Sequence, residues 1–492
     1  MNTLKIHNND SVAFSTIPVA DYPDFSETVI ERLSGNYPEK HCVNYFAYSL
    51  KGELRLIICI ADDNQHDIEV FSCDVAKEAV LQSVASEITA LERFEREISE
   101  NHGVKFEGHP WMKPVRTAPD DYPFYSMDGE ALHEVGVGPI HAGVIEPGHF
   151  RFICNGEKVL HLEIMLGYQY RGVERLFVEK KRLIERSILA ESIAGDTAVS
   201  HSVAFASVYE SLCGVEVSEA TLWARTLASE LERIAIHTGD LSAICGDVAY
   251  QLGSAVYGRL RTPIINFMQQ WCGNRLGKTC VRPFYTPYPF TKELADILLK
   301  TLSAYERDFV EMGEHISHFP SVLSRLERTG IVTFEQASEI GAVGMAARAS
   351  GLNRDIRTSH PYLKYDFLQH NPIIKHHGDV YSRTQIRRYE ALQSMGYARH
   401  LVEQLPDFKG ETSKPDVTLQ PDAFAISLEE GWRGEICHCA ITDAQGEIVL
   451  YKIKDPSFHN WMALALAVRD NEISDFPICN KSFNLSYCGH DL

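Results

Sequence analysis

The stretch FRFICNGEKVLHLEIML, residues 150–166, divides the chain. Asn155-Gly156 stands between two runs of alternating apolar and polar residues, the strongest short signal for a β-hairpin. Upstream, residues 43–75 read as strands (VNYFAYSL, a Lys51-Gly52 turn, ELRLIICIA, then IEVFSCDV), and 76–102 carry Ala, Glu, Leu and Ile at helical spacing. Together these make an α/β unit. Residues 110–137 are rich in Pro, Asp and Tyr with neither period, as in a linker or surface strap. Downstream, helices are expected over 182–211, 218–246, 252–272 and 290–317, then a basic helix, a last hairpin over 434–454 and a closing helix with a turn-rich tail. The expected class is α+β: a small N-terminal α/β domain, then a large, mostly helical domain with peripheral β-hairpins.

A chain of 492 residues with a formal charge of -20 has core enough for two or three domains. No basic patch is present to displace counterions from phosphates, which argues against a nucleic-acid partner. LRLIICIA and MALALAV fall short of the roughly 20 apolar residues a spanning helix needs. MNTLKIHNNDSV lacks a signal-peptide pattern, so a cytoplasmic chain that meets a membrane only through partners is expected. The twelve cysteines include no C-x-x-C, as expected for reduced, buried thiols. Cys437-His438-Cys439 lies in an alternating run that puts both sulfurs on one face, and packing is the expected role rather than metal binding.

Ionisable groups on loops and helix ends are the candidates for chemistry: His141, His149, Arg171, Glu191, Asp196, His201, Arg357 and Asp455. If they converge, carboxylates beside histidines and arginines make a proton-transfer or polar-ligand site. In AESIAGDTAVSH, 190–201, Glu191, Asp196 and His201 would point in three different directions on one straight helix, which argues against a single-helix metal site. Glu230, Arg233 and His237 flank an apolar stripe and read as an ion-pair face. GAVGMAARASG, 341–351, matches neither phosphate-binding glycine pattern, and no dinucleotide fingerprint follows a strand, so a soluble NAD-binding dehydrogenase is a poor reading.

FEREISENHGVKFEGHPWMKP (94–114) resembles the end of the small peripheral-arm subunit of respiratory complex I. GPIHAGVIEPGHFRF (138–152), YRGVERL (170–176), ELERIAIH (230–237), RASGLNRDIR (348–357), HPYLKYD (360–366) and GDVYSRTQIRRYEALQS (378–394) resemble the large subunit shared by complex I and the membrane-bound nickel–iron hydrogenases. A fusion of both is typical of the formate hydrogenlyase large subunit and its relatives. The resemblance implies a complex I small-subunit-like domain over 1–116, a linker over 117–137 and a hydrogenase-like large-subunit domain over 138–492.

In the nickel enzymes the first C-x-x-C would fall on Ala194 and Thr197, with His201 retained, and the second on Ser457 and Asn460 after Asp455-Pro456. All four thiolates are missing, and no metal is expected, because nickel–iron chemistry needs soft anionic sulfur. In complex I the vacated region belongs to a quinone cavity beside an iron-sulfur cluster in a neighbouring subunit. The resemblance therefore implies His149, with His141, Asp196 and His201, as quinone-headgroup or proton-donor residues. It also implies Arg171, facing that cluster, with Glu191 and Asp455 lining the cavity. The chain departs from complex I in the insertion AGVIEPG between His141 and His149, and in having Ala190-Glu191 where complex I has a tyrosine. No tightly bound cofactor is expected in this chain; quinone is a possible ligand and the iron-sulfur cluster belongs to a partner. The implied partners are a small iron-sulfur subunit and antiporter-like integral membrane subunits, with the chain peripheral on the cytoplasmic face of the inner membrane. The alternative is a non-catalytic scaffold that docks the same partners.

Overall fold

The apolar run Leu56–Ala61 is continuous because both faces of its strand are covered. In the computed structural model, which describes residues 1–35, 39–50, 52–140, 146–404, 408–410 and 415–492, three short strands open the chain: β1 (Leu4–Ile6), β2 (Ser11–Ala13) and β3 (Val19–Ala20). Lys51 of the expected turn, and His141, lie outside the described residues. Helix α1 (Tyr22–Leu33) follows, capped by the Asp21 carboxylate, which accepts from the Asp24 amide at 3.0 Å. Then come the long strands β4 (Lys40–Leu50), β5 (Glu53–Asp62) and β6 (Asp67–Ala76). The sheet runs β1-β6-β5-β4, antiparallel, with β3 added in parallel on β6.

Successive side chains of β5 alternate between two cores. Leu54, Leu56, Ile58 and Ile60 pack under Phe25, Val29 and Leu33 of α1. Ile57, Cys59 and Ala61 face a second sheet. With both faces buried, alternation disappears from the sequence; each fully buried Leu or Ile contributes about 1.5–3 kcal/mol.

The helix expected over 76–102 is shorter. Strand β7 (Val80–Gln82) pairs in parallel with β8 (Lys105–Glu107), two single turns follow β7, and α2 spans only Glu92–His102. Ser86 donates to the Ser83 carbonyl at 2.7 Å, and Glu95 accepts from the Val84 amide at 2.8 Å. Such local side-chain bonds compete with helix.

The expected hairpin is present as β10 (His149–Asn155) and β11 (Lys158–Met165), extended by β9 (Leu132–Val137) from the Pro-rich strap. The segment expected as one helix over 182–211 is two, after a short α3 (Val173–Glu179): α4 (Leu183–Ala190) and α5 (Ala198–Cys213), broken at 191–197. Long helices α6 (Glu219–Asp247), α7 (Gln251–Cys272) and α8 (Lys292–Ser317) match the apolar periodicity, and α7 packs along α6. Five short helices, α9 (Pro320–Leu326), α10 (Phe334–Glu339), α11 (Gly344–Ala349), α12 (Ile356–Ser359) and α13 (Tyr365–Leu368), lead to the basic helix α14 (Val380–Gln404), which lies on the same α6.

The C-terminal strands β12 (Ala423–Gly431), β13 (Gly434–Thr442) and β14 (Ile448–Lys454) form a sheet of order β14-β13-β12-β2. One face, with Phe424, Ile426, Cys437 and Cys439, meets β5; the other, with Ala425, Ala440, Tyr451 and Ile453, meets Phe205 of α5 and Phe177 of α3. Cys437 and Cys439 do share a face, their sulfurs 3.7 Å apart between the sheets, and His438 points the other way, toward α5. Helices α15 (Ser457–Ala467), α16 (Phe476–Phe483) and α17 (Tyr487–Asp491) close the chain. The glycines of 341–351 serve a close backbone approach: a Cβ on Gly344, at φ +62°, would sit 2.1 Å from the Gly434 Cα.

Candidate functional site

The break between α4 and α5 sets Asp196 and Thr197 just before the N-terminus of α5. Glu232 of α6 caps that end, accepting from the Val199 amide at 2.7 Å, the Ser200 amide at 3.2 Å and the Ser200 hydroxyl at 2.7 Å. Burial nevertheless pushes the Glu232 carboxyl up to about 7.

One turn into α5, fully buried His201 reaches both ways. Its Nε2 lies 3.1 Å from Asp455 Oδ2 and its Nδ1 3.1 Å from His438 Nε2; His438 Nδ1 is 2.8 Å from the Tyr451 hydroxyl. Burial raises the Asp455 carboxyl, but the His201 hydrogen bond, the positive charge of Arg433 and the Ser457 contact outweigh it and hold the group at about 2. Burial holds His438 well below its ordinary value, so it is neutral. One arrangement satisfies the row: the Tyr451 hydroxyl donates to His438 Nδ1, His438 Nε2–H to His201 Nδ1, and His201 Nε2–H to Asp455. A proton can move along such a row by paired tautomer exchange.

Beside it, Arg433 grips Asp196 with two 2.7 Å bonds, donates to Thr197 Oγ1 at 3.0 Å and to the Asn484 carbonyl at 2.6 Å, and lies 4.0 Å over the Trp432 ring. Burial works to lower its pKa, but Asp196, Asp455 and Asp240 keep the guanidinium firmly protonated. The Asp196 side chain remains 34% exposed, so this end of the arrangement meets solvent.

The positions where the resemblance puts nickel thiolates do not fit a nickel–iron centre. Ala194 offers a buried methyl group, Thr197 accepts from Arg433, Ser457 Oγ accepts from the Ser486 amide at 2.8 Å, and Asn460 is tied to both the amide and the carbonyl of Val343 at 3.1 Å. None is a soft anionic donor, and a cation occupies the neighbourhood of Thr197.

Of the sequence-predicted residues, Asp196, His201 and Asp455 come together. Glu191 sits at the edge, buried, accepting from the Thr279 amide at 2.6 Å and paired with Arg282. Exposed Arg171 donates to the carbonyls of Ser192 at 2.5 Å and of Ile193 and Cys488 at 2.9 Å, so it ties the α4–α5 break to the C-terminal segment. His149 stands apart on β10, its Nδ1 3.1 Å from the Gly138 carbonyl and its ring against Phe124; among the described residues it shares no hydrogen bond or ion pair with the His201 row. Its Nε2 is buried without a partner. Sequence reasoning does not reach Arg433, His438, Tyr451 or Glu232. A signal for Arg433 exists: Trp432-Arg433-Gly434 is a hairpin turn that places a cation at a strand end.

The ion-pair face of α6 belongs to a buried charge cage. His237 Nε2 is 2.8 Å from Glu390, Arg348 pairs with Glu390 and Glu430 at 2.7 Å each, and Arg357 pairs with Asp355 at 2.7 Å. Arg357 therefore joins this cage rather than the His201 row. Of the wider clefts, one of about 510 Å³ lies beside Glu210 and Arg225, and one of about 370 Å³ lies between β4 and β14, lined by Glu97, His102, Lys452 and Tyr451, the last residue of the row.

This arrangement of a sheet-and-helix N-terminal unit on a helical core defines a class. Residues 17–128 match the 30 kDa subunit of the respiratory-chain NADH dehydrogenase and residues 252–425 match its 49 kDa subunit. The chain thus carries a 30 kDa-type domain fused to a 49 kDa-type domain. Among its relatives, the carbon monoxide-induced hydrogenase of Rhodospirillum rubrum is 28% identical over 72% of this chain and 98% of that one. Hydrogenase-4 component G of Escherichia coli is 25% identical over 91% of this chain and 80% of its own length. The C/D protein of the NADH-quinone oxidoreductase of Phocaeicola vulgatus is 26% identical over 76% of this chain and 79% of its own. A chain of the archaeal membrane-bound sulfane sulfur reductase shares the fold, with a TM-score of 0.68, 21% identity, and coverage of 75% of this chain and 100% of that one. No helix of the described residues is long and apolar enough to cross a membrane.

Proposed function

We propose that the chain is the peripheral-arm subunit of a membrane-bound, energy-converting oxidoreductase complex, and that the Asp196–Arg433 and His201–Asp455 groups handle protons or a quinone-like headgroup without nickel. The observation that carries this reading is the row Tyr451–His438–His201–Asp455, joined at 2.8, 3.1 and 3.1 Å and ending beside a solvent-touching carboxylate. A row of exchangeable protons at the vacated metal position is what proton coupling needs. Electrons reach it from an iron-sulfur cluster in a small partner subunit, and antiporter-like membrane subunits complete the assembly on the cytoplasmic face of the inner membrane. A quinone, when bound, supplies the two-electron acceptor chemistry. His149, with its unpartnered Nε2, is the headgroup donor in that case, together with His141.

The test is turnover of the assembled complex with a soluble quinone analogue, paired with elemental analysis. His201→Gln and His149→Ala should each reduce turnover at least tenfold in an intact assembly, with nickel below stoichiometric. Normal turnover in both variants leaves the scaffold reading; one nickel per chain contradicts the reading of the donor set.

A further inference from the structure

The seam between the small and large domains holds a cavity of about 90 Å³, walled by α2, the Pro-rich strap, β11 and α15. Among the described residues, three buried side-chain atoms on its wall lack a hydrogen-bond partner: Trp461 Nε1, His161 Nε2 and Arg93 Nε. The first and last can only donate, and Trp461 is fully buried. Burial, aided by the Arg469 charge, holds His161 below its ordinary value and neutral, and its Nε2–H tautomer makes a third donor.

The charges around the cavity point the same way. Arg96 is spent on Glu92 at 3.1 Å and on the Lys113 and Pro114 carbonyls at 2.7 Å each. Glu163 is spent on Lys113 at 2.6 Å and on the Tyr125 amide at 2.7 Å. Arg93 keeps a 3.2 Å bond to His490 Nε2 and has Glu92 Oε1 at 3.4 Å, an ion pair without hydrogen-bond geometry. Burial brings its guanidinium down to about 10, with Glu92 restoring part, so it stays protonated at neutral pH and short of acceptors. With exposed Arg469, four cations (Arg93, Arg96, Arg469 and Lys113) stand against two carboxylates, Glu92 and Glu163.

Water suits such a wall poorly. It accepts from two donors but must also donate, and among the described residues no lining side chain offers a buried, unpartnered acceptor. An anion accepts from every donor, and about 90 Å³ leaves room for one of a few atoms. We propose that this cavity is a binding site for one small monovalent anion, of the size of a halide or nitrate, which takes hydrogen bonds from Trp461, His161 and Arg93 and so pins α2 of the small domain to β11 and α15 of the large one. The site stands apart from the proposed function: α15 begins two residues after Asp455, but among the described residues no group of the His201 row lines the cavity.

The test uses the full chain with bromide as the probe, while sodium gluconate, too large for the cavity, holds the ionic strength constant. Thermal unfolding of wild type should show a saturable rise in midpoint, about 1–2 °C at ten times the half-saturating bromide concentration. Trp461→Phe keeps a ring and removes one donor, and should raise that concentration about tenfold; Arg93→Met should abolish the rise. A midpoint that climbs linearly with bromide, or equally in all three proteins, overturns the proposal, because the ions then act only at the surface. Crystals of wild type grown with sodium bromide locate the ion without any variant. The expected anomalous peak lies in the cavity beside Trp461 Nε1, whereas ordered water there, with bromide only at adventitious surface positions, overturns the proposal.

Discussion

Replacing Asp455 by Asn removes the charge on which the His201 row ends while keeping an acceptor for the Ser457 amide, 2.8 Å from Oδ1. The native carboxyl titrates near 2 against an ordinary 3.8. That depression of roughly two units is worth about 2–3 kcal/mol, at about 1.4 kcal/mol per unit. A depressed carboxylate stabilises the fold fully above its unfolded pKa and loses that contribution as pH falls through the folded one. Wild type should therefore exceed Asp455→Asn by about 2 kcal/mol at pH 7, with the gap narrowing below pH 4. Urea unfolding followed by tryptophan fluorescence at pH 7, 5, 4 and 3 reads this. Equal midpoints at pH 7, or a gap that stays constant down to pH 3, would refute the assignment of Asp455 as an ion held by His201 and Arg433.

Three further outcomes follow from particular contacts. Arg433→Lys should lose most of the Asp196 contribution, about 1–2 kcal/mol, because an ammonium cannot make the two-bond grip; double-mutant cycles with Asp196→Asn measure it. Arg348→Met leaves Glu390 and Glu430 facing each other without their shared cation, and should cost about 3–5 kcal/mol in thermal or urea unfolding. Gly344→Ala puts a methyl group into the Gly434 backbone and should cost about 3 kcal/mol or more, read as a large loss of folded yield.

What the sequence made legible follows from periodicity. The helices α6, α7 and α8 pack one apolar face inward, and the Asn155-Gly156 hairpin has its own turn chemistry, so each shows in one window of residues. The break at 191–197 hides because Ala190, Ile193 and Ala194 continue a helical apolar pattern through it; Arg171 and Arg433 hold the break open from distant parts of the chain. Strand β12 hides because it is buried from end to end. The candidate site was legible in Asp196, His201 and Asp455, which the family resemblance brings forward. Its other half, His438 and Tyr451, was not: reading Cys437-His438-Cys439 for its sulfurs attends to one face of β13, and the face that carries the His201 row is the other. Long-range pairing of β13 with β14, which places Tyr451 beside His438, leaves no local trace.

The central claim, that this chain works as a peripheral subunit of a membrane-bound redox complex, is tested most directly by affinity purification of the tagged chain from gently solubilised membranes, with every co-purifying polypeptide identified and quantified. The account predicts a small iron-sulfur subunit and several integral membrane subunits in fixed ratio to the chain. Recovery of the chain alone, from the soluble fraction, would contradict it.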